Sequence, residues 1–150
     1  MTTAHPTAGA VALPARVAAG IAGGLAGGVV FGILMQTWGM LPMVAMLVDS
    51  ESVAVGWLVH LLISALFGAI FAVVFGRWAG TPTSAVGIGL AYGVLWWVLG
   101  ALLIMPAWLG MNEMVLELNT TAWRSLAGHL SYGLLLGLVY ALVGPRLRRG

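Results

Sequence analysis

Residues 53–77 read VAVGWLVHLLISALFGAIFAVVFGR, with no charged side chain before Arg77. As a helix, this stretch covers the ~30 Å hydrocarbon core of a bilayer, which takes about 20 apolar residues. Three more stretches of the same kind flank it, and together the four span residues 15–38, 53–78, 84–105 and 121–143. None contains Asp, Glu or Lys, and Arg124 sits only at the mouth of the fourth. Pro14, Pro82 and Pro145 fall at or beyond helix ends. Pro42 and Pro106 mark the ends of the first and third spans, and nothing breaks a span in mid-membrane. The short apolar segments 43–48 and 108–118 are expected to lie in the interface or tuck over the bundle.

The rest of the chain agrees. Of 150 residues, 61% are hydrophobic and 7% charged, with mean hydropathy +1.06. A soluble domain carries roughly 25% charged residues, so this chain lacks the polar surface of a soluble enzyme or a disordered segment. Six Arg without a Lys, at a net charge of +2, form no basic face for nucleic acid. Without cysteine there are no disulfides and no thiolate sites. The first apolar run is too long for a cleaved leader and is read as a membrane helix after a flexible tail over residues 1–13. Residues 14–150 form one transmembrane domain.

Charge sets the orientation. Arg16, Arg77, Arg146, Arg148 and Arg149 fall on one side, and Asp49, Glu51, Glu113 and Glu117 on the other. Positive charge is retained in the cytoplasm. Both termini are therefore expected to be cytoplasmic, with the protein in the cell (inner) membrane. Trp38, Trp57, Trp108 and Trp123 would line the outer interface and Trp78 the inner one.

The halves repeat. GLAGGV at 24–29 matches GLAYGV at 89–94, differing only at Gly27 and Tyr92. Residues 60–77 align without a gap on 129–146, pairing His60 with His129, Gly68 with Gly137 and Arg77 with Arg146. Each unit holds two spans, so repeat one (14–80) and repeat two (81–150) are parallel, related by a pseudo-twofold axis along the membrane normal. The fold class is an all-α four-helix membrane bundle of two helical hairpins.

Small residues recur every four positions: Gly20, Gly24, Gly28 and Gly32; Ser64, Gly68 and Ala72; Gly89 and Gly93; Gly133 and Gly137. Such stripes let helix backbones approach where lipid supplies no hydrophobic drive, so their expected role is packing, within the bundle or in an oligomer.

His60 and His129 lie on these stripes, about two turns below the outer interface. An ionisable residue at that depth is a functional candidate. The pair could hold haem b or another metal, could carry protons or bind substrate, or could lock helices together by hydrogen bonds, with Gln36 as a partner for His60. After Met1, all methionines fall in the outer half. Met40, Met43 and Met46 are spaced to share one side of a helix, and thioethers suit Cu(I); equally, methionine is adaptable filler. The four acidic residues read as solvated loop charges. No phosphate loop, nucleophile elbow or zinc motif marks an active site.

Met40-Leu-Pro-Met-Val-Ala-Met46, Gly56-Trp-Leu-Val-His60, Gly68-Ala-Ile-Phe71, Tyr92-Gly-Val-Leu-Trp96, Met105-Pro106 and Gly128-His-Leu-Ser-Tyr-Gly133 run through nearly the whole chain after the tail. In these the chain resembles a family of small four-span bacterial integral membrane proteins. The resemblance implies the architecture and brings no activity. On the residues alone, the expected function is that of a non-catalytic accessory or structural membrane component, as a homo-oligomer or with a partner in a membrane complex. The alternatives are a haem- or copper-binding protein using the His pair and a small proton-linked transporter.

Overall fold

The computed structural model describes residues 13–144. Of the tail expected over 1–13, residues 1–12 lie outside this range, as do Arg146, Arg148 and Arg149, while Leu13 already opens the first helix. Four helices are long and apolar enough to cross a membrane, and the chain is a small polytopic membrane protein. α1 (Leu13–Thr37) and α3 (Val53–Val74) form the first hairpin. The second pairs α4 (Pro82–Trp96) and its continuation with α6 (Thr120–Val143). The short α2 (Leu41–Ala45) starts with Pro42 in its first turn and packs on α3. Gly39, at φ +68°, ends the first span in the left-handed region that glycine reaches without strain.

Helix starts follow local chemistry. Thr81 caps α4 in a capping box with Ser84, ahead of Pro82 in the first turn. The Asn119 side chain accepts the Ala122 N–H at 3.0 Å and caps α6.

Small residues form the helix contacts within each hairpin, and many large apolar side chains point outward. A Cβ on Gly24 would overlap the Ser64 carbonyl, and one on Gly20 the Gly68 carbonyl. Gly28 faces the Ser64 side chain, and Gly32 receives the Trp57 ring. In the second hairpin Gly89 meets Gly133, Gly93 meets the His129 carbonyl, and Gly137 meets Ala85. Meanwhile Leu58, Leu62 and Leu66 on the outer face of α3 are about 60% exposed, as a lipid-facing stripe requires.

The two hairpins meet unequally. α1 packs closely on α6, because α1 carries a second glycine face. A Cβ at Gly23 would sit 2.7 Å from the Leu136 carbonyl oxygen, and one at Gly27 2.7 Å from that of Tyr132. Gly128 leaves a slot for the Phe31 ring. By the repeat, the partner seam is α3 against α4, yet no comparable backbone approach exists there. In the sequence alignment Ile88 and Tyr92 stand where α1 has Gly23 and Gly27. Aromatic rings fill the resulting gap toward its Arg16 end. Phe71 packs on Tyr92 and Tyr140, both at 5.5 Å between centroids, and Phe67 stacks on Trp96 at 3.9 Å. Close glycine-mediated pairing is thus present within each hairpin, whereas the seams between the hairpins differ.

The third span departs from the uninterrupted helix expected of it. From Trp97 to Ile104 it winds as a π-helix, then returns to α-geometry in α5 (Met105–Trp108), so the span runs on through Pro106. Proline supplies the reason at the outer end. In an α-helix the Leu102 carbonyl would accept the N–H of residue 106, which Pro106 lacks. It accepts the Leu116 N–H instead, at 2.8 Å, from the loop that follows.

At the opposite end, the Arg16 guanidinium donates to the Ala72 carbonyl at 2.9 Å. A cation is favoured at the C-terminal end of a helix, where carbonyls are unpaired.

Gly27→Leu should lower the thermal unfolding midpoint in detergent sharply, by the equivalent of about 3 kcal/mol or more, because the added side chain meets α6 backbone rather than a movable group. Gly87→Leu should leave the midpoint within about 0.5 kcal/mol, since a Cβ there meets nothing within 4 Å.

Candidate functional site

Small residues continue outward from the aromatic wedge: Ser64 on α3, Gly100 and Ala101 on the third span. The separation that Tyr92 imposes is not filled there. A cavity of about 390 Å³ results, floored by Phe67 and Trp96 and roofed by Met43 and Val44 of α2 and Leu47 of the turn after it. Its rim carries Ile104 and Trp108, 51% and 72% exposed. A smaller cavity, of about 50 Å³, lies against the 109–119 loop. The two share Met40, Met43, Ala101, Met105 and Ser125 as wall.

Both histidines line the larger cavity. His60 on α3 is 7% exposed, and its Nε2–H donates across the hairpin to the Gly28 carbonyl at 2.8 Å. Gln36 is not its partner, because the Gln36 side-chain oxygen accepts the Trp57 Nε1–H at 2.6 Å. His129 bonds within its own helix, its Nδ1–H donating to the Ser125 carbonyl at 2.8 Å. Both imidazoles pack edge-on against the Phe31 ring, at centroid distances of 5.3 and 4.9 Å. Phe31 thus holds the pair at one level of the bundle.

These bonds fix the tautomers. A carbonyl only accepts, so the nitrogen facing it carries the proton. In the neutral rings, Nδ1 of His60 and Nε2 of His129 are then lone-pair acceptors, and neither has a protein partner among the described residues. Tyr132, also on the wall, is occupied: its hydroxyl donates to the Ser64 carbonyl at 2.8 Å. Tyr92 likewise donates to the Phe67 carbonyl at 2.9 Å. The tyrosines tie the second hairpin to α3 across the gap they help to hold open.

Met35, Met40, Met43 and Met105 line the larger cavity; Met111 and Met114 line the smaller one. Met46 belongs to neither wall, because the chain tightens into a 3₁₀ turn at Met46–Val48 and the threefold spacing with Met40 and Met43 ends there. Among the described residues, no three of His, Asp and Glu cluster to hold a metal ion. A haem between the two imidazoles would have to displace Phe31, on which both pack.

The sequence reading named the histidines and the outer methionines. It missed Phe31, Phe67, Trp96 and Tyr132, which shape the cavity. The available signal was the Gly27/Tyr92 mismatch, the one difference in an otherwise identical hexapeptide. Comparison with family models, with curated proteins and with solved structures gives no match.

The two histidines should differ in what they contribute to stability. His60→Leu removes a bond between helices and should destabilise by about 1 kcal/mol in thermal unfolding, a usual value for one interhelical bond in a membrane protein. His129→Leu removes a bond inside α6 and should cost less than half of that.

Proposed function

We propose that the protein is a non-catalytic accessory component of the cell membrane that holds one lipid-soluble small molecule in its outer half. The observation that carries this reading is the cavity. Its volume falls in the ~300–1,000 Å³ range of small-molecule sites, its wall is mostly apolar, and a few polar atoms converge on it. A bare ion would need several donors closing in at ~2 Å, which so wide an apolar space does not favour. Methionines give such a wall adaptability.

A second reading, Cu(I) binding, draws on the methionines. Six of them line adjoining cavities that lead from the outer loop to the histidines. Each histidine donates one nitrogen to a carbonyl and leaves the other free, as metal-bound histidines do. Membership of the four-span family belongs to the same proposal, as do cytoplasmic termini. Among the described residues, Arg16 and Arg77 stand at one end of the bundle and Asp49, Glu51, Glu113 and Glu117 in the connections at the other.

Native mass spectrometry and elemental analysis of the purified protein test the function. One lipid-soluble molecule per chain should remain on the wild type and be lost from Gly100→Phe. That variant fills the cavity without a backbone clash, since a Cβ at Gly100 meets only the Trp96 ring, at 3.9 Å. A Soret band, or copper lost on His129→Phe, would replace the lipid-soluble ligand with haem or Cu(I); identical, ligand-free wild type and variant would overturn the reading. Orientation is open to cysteine labelling in a chain with no native cysteine. An impermeant maleimide should label Ser50→Cys and Glu113→Cys in intact cells and leave Trp78→Cys unlabelled until the cells are opened.

A further inference from the structure

We infer that the cavity selects a hydroquinone over the corresponding quinone. This rests on the ligand-holding reading above and names the class of ligand. The geometry supplies three requirements. First, the polar atoms left free by the two histidines are acceptors. The Gly28 and Ser125 carbonyls hold the ring protons on His60 Nε2 and His129 Nδ1, so His60 Nδ1 and His129 Nε2 offer lone pairs. A ligand that satisfies both must donate at two places. Second, the wall that surrounds them is aromatic, with Phe31, Phe67, Trp96 and Tyr132 contributing rings. A planar ring fits such a lining by edge and face contact. Third, the cavity lies between α3 and the third span of a membrane-embedded bundle, so an apolar tail can pass from it into lipid.

A hydroquinone meets all three. It is a neutral aromatic ring with two hydroxyl donors, and it is carried in the membrane by an apolar tail. A quinone has the same shape but offers only carbonyl acceptors. Its carbonyls could meet the Ser64 or Ser125 hydroxyl on the wall, but both imidazole lone pairs would still be left unpaired. A site built to pair with hydroxyl groups rejects an analogue that lacks them, because buried acceptors are then unsatisfied. A saturated acyl chain would fill the volume but leave both imidazoles unpaired. The selection is one of binding alone, with no electron transferred.

Ligand-dependent thermal stability of the detergent-solubilised protein tests this, since a molecule that binds only the folded state raises the midpoint with concentration. The probes are decylubiquinol, kept reduced under argon, and decylubiquinone. The reduced form should bind wild type at least about tenfold more tightly. His129→Phe, which keeps the packing on Phe31 but removes an acceptor, should bring the two affinities within about threefold. Gly100→Phe should abolish the binding of both. Equal affinities in wild type, tighter binding of the quinone, or a preference that survives His129→Phe and His60→Phe would each overturn the inference. If a copurifying molecule is lost on Gly100→Phe but displaced by neither probe, the inference fails and the ligand-holding reading stands. If nothing copurifies and neither probe binds, both fail.

Discussion

Close contact between backbones, made possible by glycine, is the constraint from which the rest of this bundle follows. Lipid tails are as apolar as leucine, so burying leucine gains nothing in the membrane, and helices associate through dispersion and polar contacts at short range. The sequence departs from the pattern of a soluble protein accordingly, with glycine, alanine and serine at the close helix contacts and most of the leucine and valine outside. Of the four long helices, α1 carries this furthest. One of its faces receives α3 and the adjacent face receives α6, so it is the element on which both hairpins are mounted.

The cavity is the other side of the same constraint. Where α1 offers Gly23 and Gly27, the third span offers Ile88 and Tyr92, and its approach to α3 is limited by ring dimensions. The tyrosine hydroxyls donate to α3 carbonyls and so hold a fixed separation rather than a loose one. Rings close the space toward the Arg16 end of the bundle, and small residues leave it open toward α2. Two hairpins of similar sequence thus leave the larger chamber on one seam only, through a few side-chain differences between them.

Much of this was legible in the sequence. Span number, hairpin pairing and the inward-facing glycine stripes followed from composition and a four-residue period. The histidines followed from the cost of placing a polar group at that depth. What stayed hidden depends on contacts between helices. The periodicity of α1 shows glycines at 20, 24, 28 and 32, but Gly23 and Gly27 acquire meaning only once α6 is seen against them. His60 and Gln36 looked like partners because they are polar residues at similar depth. A backbone carbonyl, which no side-chain pattern reveals, took the histidine instead. The π-helical stretch likewise has no period of its own to read, and only Pro106 hinted that a carbonyl nearby would need another donor.

That carbonyl has a wider consequence. Leu102 is buried within the third span, and its oxygen is capped by an amide from the extramembrane loop. One rung of a transmembrane helix is therefore supplied from outside the bilayer, next to the chamber wall formed by Gly100, Ala101 and Ile104. The winding of the span at the chamber is thus tied to the conformation of the loop that follows it, by a long-range hydrogen bond as well as by the chain itself.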